Sequence, residues 1–157
     1  MNYAALIQNR KSVREFQDKT VPFALLERMK AHYQKHVRRL IDDLTTELYF
    51  FGTDARAALE GAAGYNQFLV GAPQYLVLLS EKQELAYLNA GYIMEDLILK
   101  LADLGLDSCW LTFTDSNKIL SDWAVNEHIA VLDRKELGID VRVHAARDHI
   151  EYLNVVV

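Results

Sequence analysis

Residues 84–104 constrain this chain more than any other segment. Apolar side chains recur there at three- and four-residue steps through Leu88, Tyr92, Ile93, Leu97, Ile98, Leu101 and Leu104. Gly105 follows at once, and glycine is the residue that most readily takes the left-handed turn that closes a helix. A helix with so broad an apolar face needs cover on several sides, so the spacing predicts a central, largely buried helix with the fold assembled around it. A chain of 157 residues, 51% of them hydrophobic, can form one compact core around such an element. No Ser/Gly/Pro-rich linker or repeat interrupts it. We expect a single domain over residues 1–157.

The other elements follow from patterning. Residues 3–9 fit a short helix, with Leu6 on its covered side. Thr20 is placed to cap, and Pro22 to occupy the first turn of, a long helix with Leu25, Leu26, Met29, Tyr33, Val37, Leu40, Ile41, Leu44 and Leu48 on one face, ending before Gly52. Residues 54–60 predict a short helix, followed by a break at residues 61–64. The run at 74–79, after Pro73, is continuous, apolar and short, which reads as a buried strand. Residues 108–113 read as a strand. Thr114, Asp115 and Ser116 offer a cap for a helix holding Ile119, Leu120, Trp123, Val125, Ile129 and Leu132. Ile139, Val141 and Val143 alternate as in a strand, and residues 153–157 suggest another. A β-branched end of that kind pairs with a sheet of this subunit or of a partner, or marks a truncation.

Charge excludes several functions. With 17 Lys+Arg against 22 Asp+Glu, the net charge is −5, so no overall positive field is available to hold nucleic acid or an acidic bilayer. The single cysteine, Cys109, rules out an internal disulfide framework or a cysteine zinc cage. It stands beside Trp110 with no cation or His next to it, as a small buried hydrophobe does. The N-terminus lacks the order of a secretory signal, and the apolar stretch at 68–79 is too short to span a bilayer. A cytoplasmic location is the expectation.

The chemistry concentrates at Arg10, Lys11, Ser12 and Arg14. Three cations and a hydroxyl lie within five residues at the exit of the first helix. In an extended segment, Arg10, Ser12 and Arg14 share one side, an arrangement that can grip a phosphate with guanidinium forks and a hydroxyl donor. A solvated basic stretch has the same composition. His32 and His36 stand four residues apart on a predicted helix, a spacing open to zinc, but they lack a third ligand in sequence and sit among Lys35, Arg38 and Arg39, which favours a solvated face. His144 and His149 have as little support. Glu95 and Asp96 are adjacent on the central helix and point about 100° apart, so they do not form a convergent acid pair. Glu95 reads instead as an interface residue.

Read together, RKSVREF near the start, GAPQYLVLLSE in the middle and NAGYIMEDLILKLADLGLDSCWLTF downstream resemble the FMN-dependent nitroreductase family. That family has a basic-Ser-x-basic-x-Phe segment after its first helix, a strand introduced by Ala-Pro, and an apolar helix ending in Leu-Gly-Leu-Gly-x-x-Trp. Here the ending is Leu104 to Trp110, with Asp107 in place of the second glycine. The resemblance spans about residues 3–26 and 61–114. It implies an α+β fold with a central mixed or antiparallel sheet flanked by helices, assembled as a homodimer with the central helix at its heart. It also implies FMN in clefts at the subunit interface, contacted by Arg10, Lys11, Ser12 and Arg14. A cation beside the flavin's N1 and O2 edge opposes the negative charge that reduction leaves there.

The implied activity is oxidoreduction by a ping-pong mechanism, with NAD(P)H as hydride donor and nitroaromatics, quinones or similar electron-poor compounds as acceptors. No GxGxxG, P-loop or HExxH motif is present, as such an enzyme needs none. Asn66 stands near the position of the family's ring-contacting Asn, though no Pro-Trp follows it, and a turn after Gly64 accounts for it equally well. Thr112 and Phe113 replace the small residues usual near the flavin face. Residues 116–157 carry no match to the family's closing basic pair, with Arg142 and Arg147 candidates by charge only, so this part reads as divergent or truncated. The alternatives are a non-catalytic dimeric flavin-binding or interaction protein on the same scaffold, and a helical structural dimer without a ligand.

Overall fold

The computed structural model describes residues 1–61, 63–64, 68–81, 83–113 and 150–156. The central helix forms as α4, Ala86–Asp103. It ends in a Schellman turn: Leu106 N–H donates to Leu101 C=O and Gly105 N–H to Ala102 C=O, each at 3.0 Å, with Gly105 at φ +77°. Ala90, Ile93, Met94, Leu97 and Ile98 are fully buried. The apolar face divides along its length, however. Leu88 and Tyr92, expected inside, are 61% and 40% exposed, and Leu85 before them is 55% exposed.

Helix α1, Tyr3–Asn9, is capped by Asn2, whose Oδ1 accepts from Ala5 N–H. Helix α2 is Phe23–Lys35, shorter than expected; its N-cap is Pro22, and Thr20 plays no capping part. The long helix predicted to reach Leu48 stops at His36, and Thr46–Phe51 is instead strand β1. No Gly or Pro marks that stop. It is made by tertiary contacts: Leu40 and Ile41 give their amide protons to Asn89 Oδ1 on α4, at 2.9 and 3.1 Å, rather than to a preceding turn. In β1, Leu48 and Phe50 enter one core and Tyr49 and Phe51 another, a period of two that overlaps the four-residue step from Leu44 to Leu48. The predicted helix at 54–60 forms as a 3-10 turn, Thr53–Ala55, followed by α3, Arg56–Leu59.

Strands β2, Ala63–Gly64; β3, Tyr75–Glu81; β4, Trp110–Phe113; and β5, Ile150–Val156, complete a sheet in the order β1-β3-β5-β4-β2. All its named pairings are antiparallel. The last strand therefore lies inside the sheet of this subunit, between β3 and β4. The continuous apolar run of β3 is explained by cover on both faces. Leu76 and Leu78 join α4, Met29 and Val37 in one core, while Tyr75 and Val77 join Phe51, Leu59 and Leu111 in the other. The predicted helix at 116–132, the strand at 139–143, and His144, His149, Arg142 and Arg147 lie outside the described residues.

Candidate functional site

The basic segment leaves α1 in extended form. Arg10 caps the helix with φ −66° and ψ 136°. Beyond it Ser12 forms a parallel bridge with Ser108, and Val13 N–H donates to Ser108 C=O at 3.0 Å. Ser108 follows the Gly105 turn directly, so the end of α4 and the start of β4 hold the segment. Arg10, Ser12 and Arg14 thus alternate along an extended chain, with Lys11 and Arg14 exposed and Ser12 partly buried.

Between the ends of α1 and α4 lies a hollow of ≈230 Å³, lined by Leu6, Asn9, Arg10, Lys11, Leu106, Asp107 and other residues of these turns. Arg10 is anchored at its rim: Nε lies 3.6 Å from Glu95 Oε1 on α4. Its Nη1 is buried and has no hydrogen-bond partner among the described residues. A buried donor left without an acceptor costs about 1–3 kcal/mol, more when it is charged. This guanidinium therefore has unused capacity for an anion. The residues present fit the phosphate end of an FMN: a fork with a spare donor, a second cation and a hydroxyl on one short segment. Asn66 lies outside the described residues, as do the side chains of Thr112 and Phe113.

The pair Glu95 and Asp96 diverges as expected. Glu95 meets Arg10, whereas Asp96 is buried and receives His32 Nε2 at 2.7 Å and Tyr3 Oη at 2.9 Å. His32 is thus a buried partner of a carboxylate, which corrects its reading as part of a solvated face; His36 is exposed. Burial raises the Tyr3 phenol above its ordinary value, and the hydrogen bond to the Asp96 carboxylate adds to the rise. Among the described residues no group of three His, Cys, Asp or Glu side chains is placed to hold a metal. Cys109 is a buried free thiol, as its neighbours implied. Ser108, Tyr3 and the His32–Asp96 contact were missed in the sequence. An acid on an otherwise apolar helix was the one available signal for the last of these.

The α+β architecture, with an antiparallel sheet under a largely buried helix that ends beside a basic extended segment, is the fold of the nitroreductases. Residues 2–132 match the family described as "Putative TM nitroreductase", and the chain belongs to that nitroreductase family. Solved structures agree in fold. A nitroreductase family protein of Clostridium novyi superposes with TM-score 0.73 at 13% identity, over 99% of this chain and 83% of that one. A "putative nitroreductase" of Desulfovibrio desulfuricans, solved in complex with FMN, gives 0.65 at 14%, over 99% and 84%. A "Putative NADH Oxidase" of Clostridium acetobutylicum gives 0.65 at 18%, over 96% and 84%. No curated protein sequence matches. No helix among the described residues is long and apolar enough to cross a membrane.

Proposed function

We propose that the protein is an FMN-dependent oxidoreductase that takes hydride from NAD(P)H and reduces nitroaromatic, quinone or similar electron-poor acceptors in a ping-pong cycle. The observation that carries the reading is Arg10: a buried guanidinium donor without a partner among the described residues, on the segment that resembles the family's flavin-binding motif. FMN, when bound, supplies the hydride and electron chemistry, so no nucleophile or general base is required of the chain. The chain's own residues bind and orient. Arg10 and Arg14 neutralise the phosphate, Ser12 donates a hydroxyl proton to it, and Lys11 or an Arg placed near the ring edge opposes the charge that reduction leaves there. Asn66 is proposed at the ring.

The functional unit is proposed to be a cytoplasmic homodimer. Leu85, Leu88 and Tyr92 form one stripe on the N-terminal half of α4, and these exposed apolar side chains suit a second copy of the chain. FMN and an electron acceptor are the small-molecule partners, with no part for nucleic acid or membrane. The test is anaerobic. Addition of NADH or NADPH to the FMN-loaded protein bleaches the flavin bands, and a quinone added afterwards restores them. Steady-state double-reciprocal plots then give parallel lines. A loaded protein that neither nicotinamide bleaches leaves the alternative, a flavin-binding protein without this activity.

A further inference from the structure

Helix α1 delivers the candidate site at its C-terminal end, yet none of its residues is buried. Ala5 and Leu6 are only partly covered, so apolar packing seats it incompletely, and such an element falls toward the low end of local stability. Its ties are polar and come from both ends. At the start, Tyr3 Oη donates to Asp96 Oδ1 at 2.9 Å, and the Arg38 guanidinium lies over the same ring, 5.3 Å from its centroid. Asp96 is itself fixed, because His32 holds its other oxygen at 2.7 Å. At the far end, about two helical turns on, Arg10 meets Glu95, the neighbour of Asp96 on α4. Arg10 is the C-cap of α1, so any tilt of the helix moves the backbone from which the basic segment springs.

We infer that Asp96, acting through Tyr3, is a positioning residue for the Arg10–Arg14 segment: the buried carboxylate seats α1 on α4 and so holds the cations in register for the phosphate of FMN. The inference rests on the flavin reading of that segment. Removing the Tyr3 hydroxyl loses a hydrogen bond to a charged group, and the apparent affinity for a ligand falls with the fraction of molecules in the seated state. For oxidised flavins the effect falls mainly on ligands that use the phosphate end, because the cation at the ring edge acts chiefly on the charge that reduction leaves there.

The test uses the full chain with Tyr3→Phe, Tyr3→Ala and Asp96→Asn, titrated by flavin fluorescence with FMN and, separately, riboflavin, which lacks the phosphate. Hydrogen exchange of the α1 and α4 amides is followed in parallel. Tyr3→Phe is expected to weaken FMN binding about fivefold and Tyr3→Ala further, while riboflavin binding changes by less than about twofold. The α1 amides exchange faster and those of α4 do not. FMN affinity within twofold of wild type in both Tyr3 variants overturns the inference. So does an equal loss for FMN and riboflavin, which marks a merely structural role. The Tyr3 variants decide the matter even where Asp96→Asn fails to fold. A wild-type protein that binds neither flavin overturns the flavin reading and this inference with it; wild-type binding with indifferent variants overturns this inference alone.

Discussion

Replacing Gly105 by alanine isolates the conformational cost of the turn that joins α4 to the candidate site. At φ +77°, a Cβ built on Gly105 meets no heavy atom within 4 Å, so the substitution brings no clash. What remains is the backbone preference. An L-residue in the left-handed region costs about 1–2 kcal/mol. Alanine also restricts the unfolded chain, which returns about 0.4–1 kcal/mol. The net loss expected is roughly 1 kcal/mol, and for a domain of this size that lowers Tm by about 2–4 °C. Urea unfolding of Gly105→Ala and Gly105→Asn, with thermal scans alongside, measures it. Asparagine, which tolerates the left-handed region, falls between alanine and wild type. An alanine variant as stable as wild type, or one weaker by more than about 3 kcal/mol, refutes the reasoning, because the first denies the strain and the second requires a clash that the open space excludes.

Asn89→Ala deprives Leu40 and Ile41 of the acceptor their amides share, and with two donors released it is expected to cost about 2–4 kcal/mol in chemical denaturation. Loss of less than about 0.5 kcal/mol would show that this loop holds itself. The Tyr3 phenol, raised above the ordinary 10.0, gives the latch to Asp96 a definite pH dependence. Its stabilisation is complete below the unfolded-state value and is lost as pH rises through the higher folded-state value, so FMN affinity declines on that alkaline limb in wild type and the decline is flattened in Tyr3→Phe. Leu88→Asp with Tyr92→Asp sets charge into the exposed stripe of α4 and is expected to yield a monomer by sedimentation, with the helical spectrum retained. Leu85 holds φ 65° while more than half exposed, so Leu85→Gly relieves left-handed strain worth about 1 kcal/mol while trimming the same stripe.

Much of this architecture was legible because its signals are local. The face of α4, its glycine stop, α1 and the buried run of β3 are each fixed by periodicity or by a single punctuating residue. The boundary between α2 and β1 was not, since nothing in residues 36–45 breaks a helix and the deciding acceptor, Asn89, lies far along the chain. The exposed half of α4 was also hidden: an apolar stripe reads the same in sequence whether the fold covers it or leaves it exposed. Within the candidate site, the alternation of Arg10, Ser12 and Arg14 could be read directly. The contacts that hold them could not, because Ser108, Glu95 and Asp96 acquire their roles only when α1 is laid against α4.

The central claim, that the segment from Arg10 to Arg14 holds the phosphate of an FMN, is tested most directly on the protein as purified. Its absorbance is recorded, the protein is denatured, and the small molecule released is identified by mass spectrometry. The account predicts flavin bands and FMN in molar equivalence with the chain, with both reduced in Arg10→Ala. A colourless protein that remains colourless through titration with FMN contradicts it.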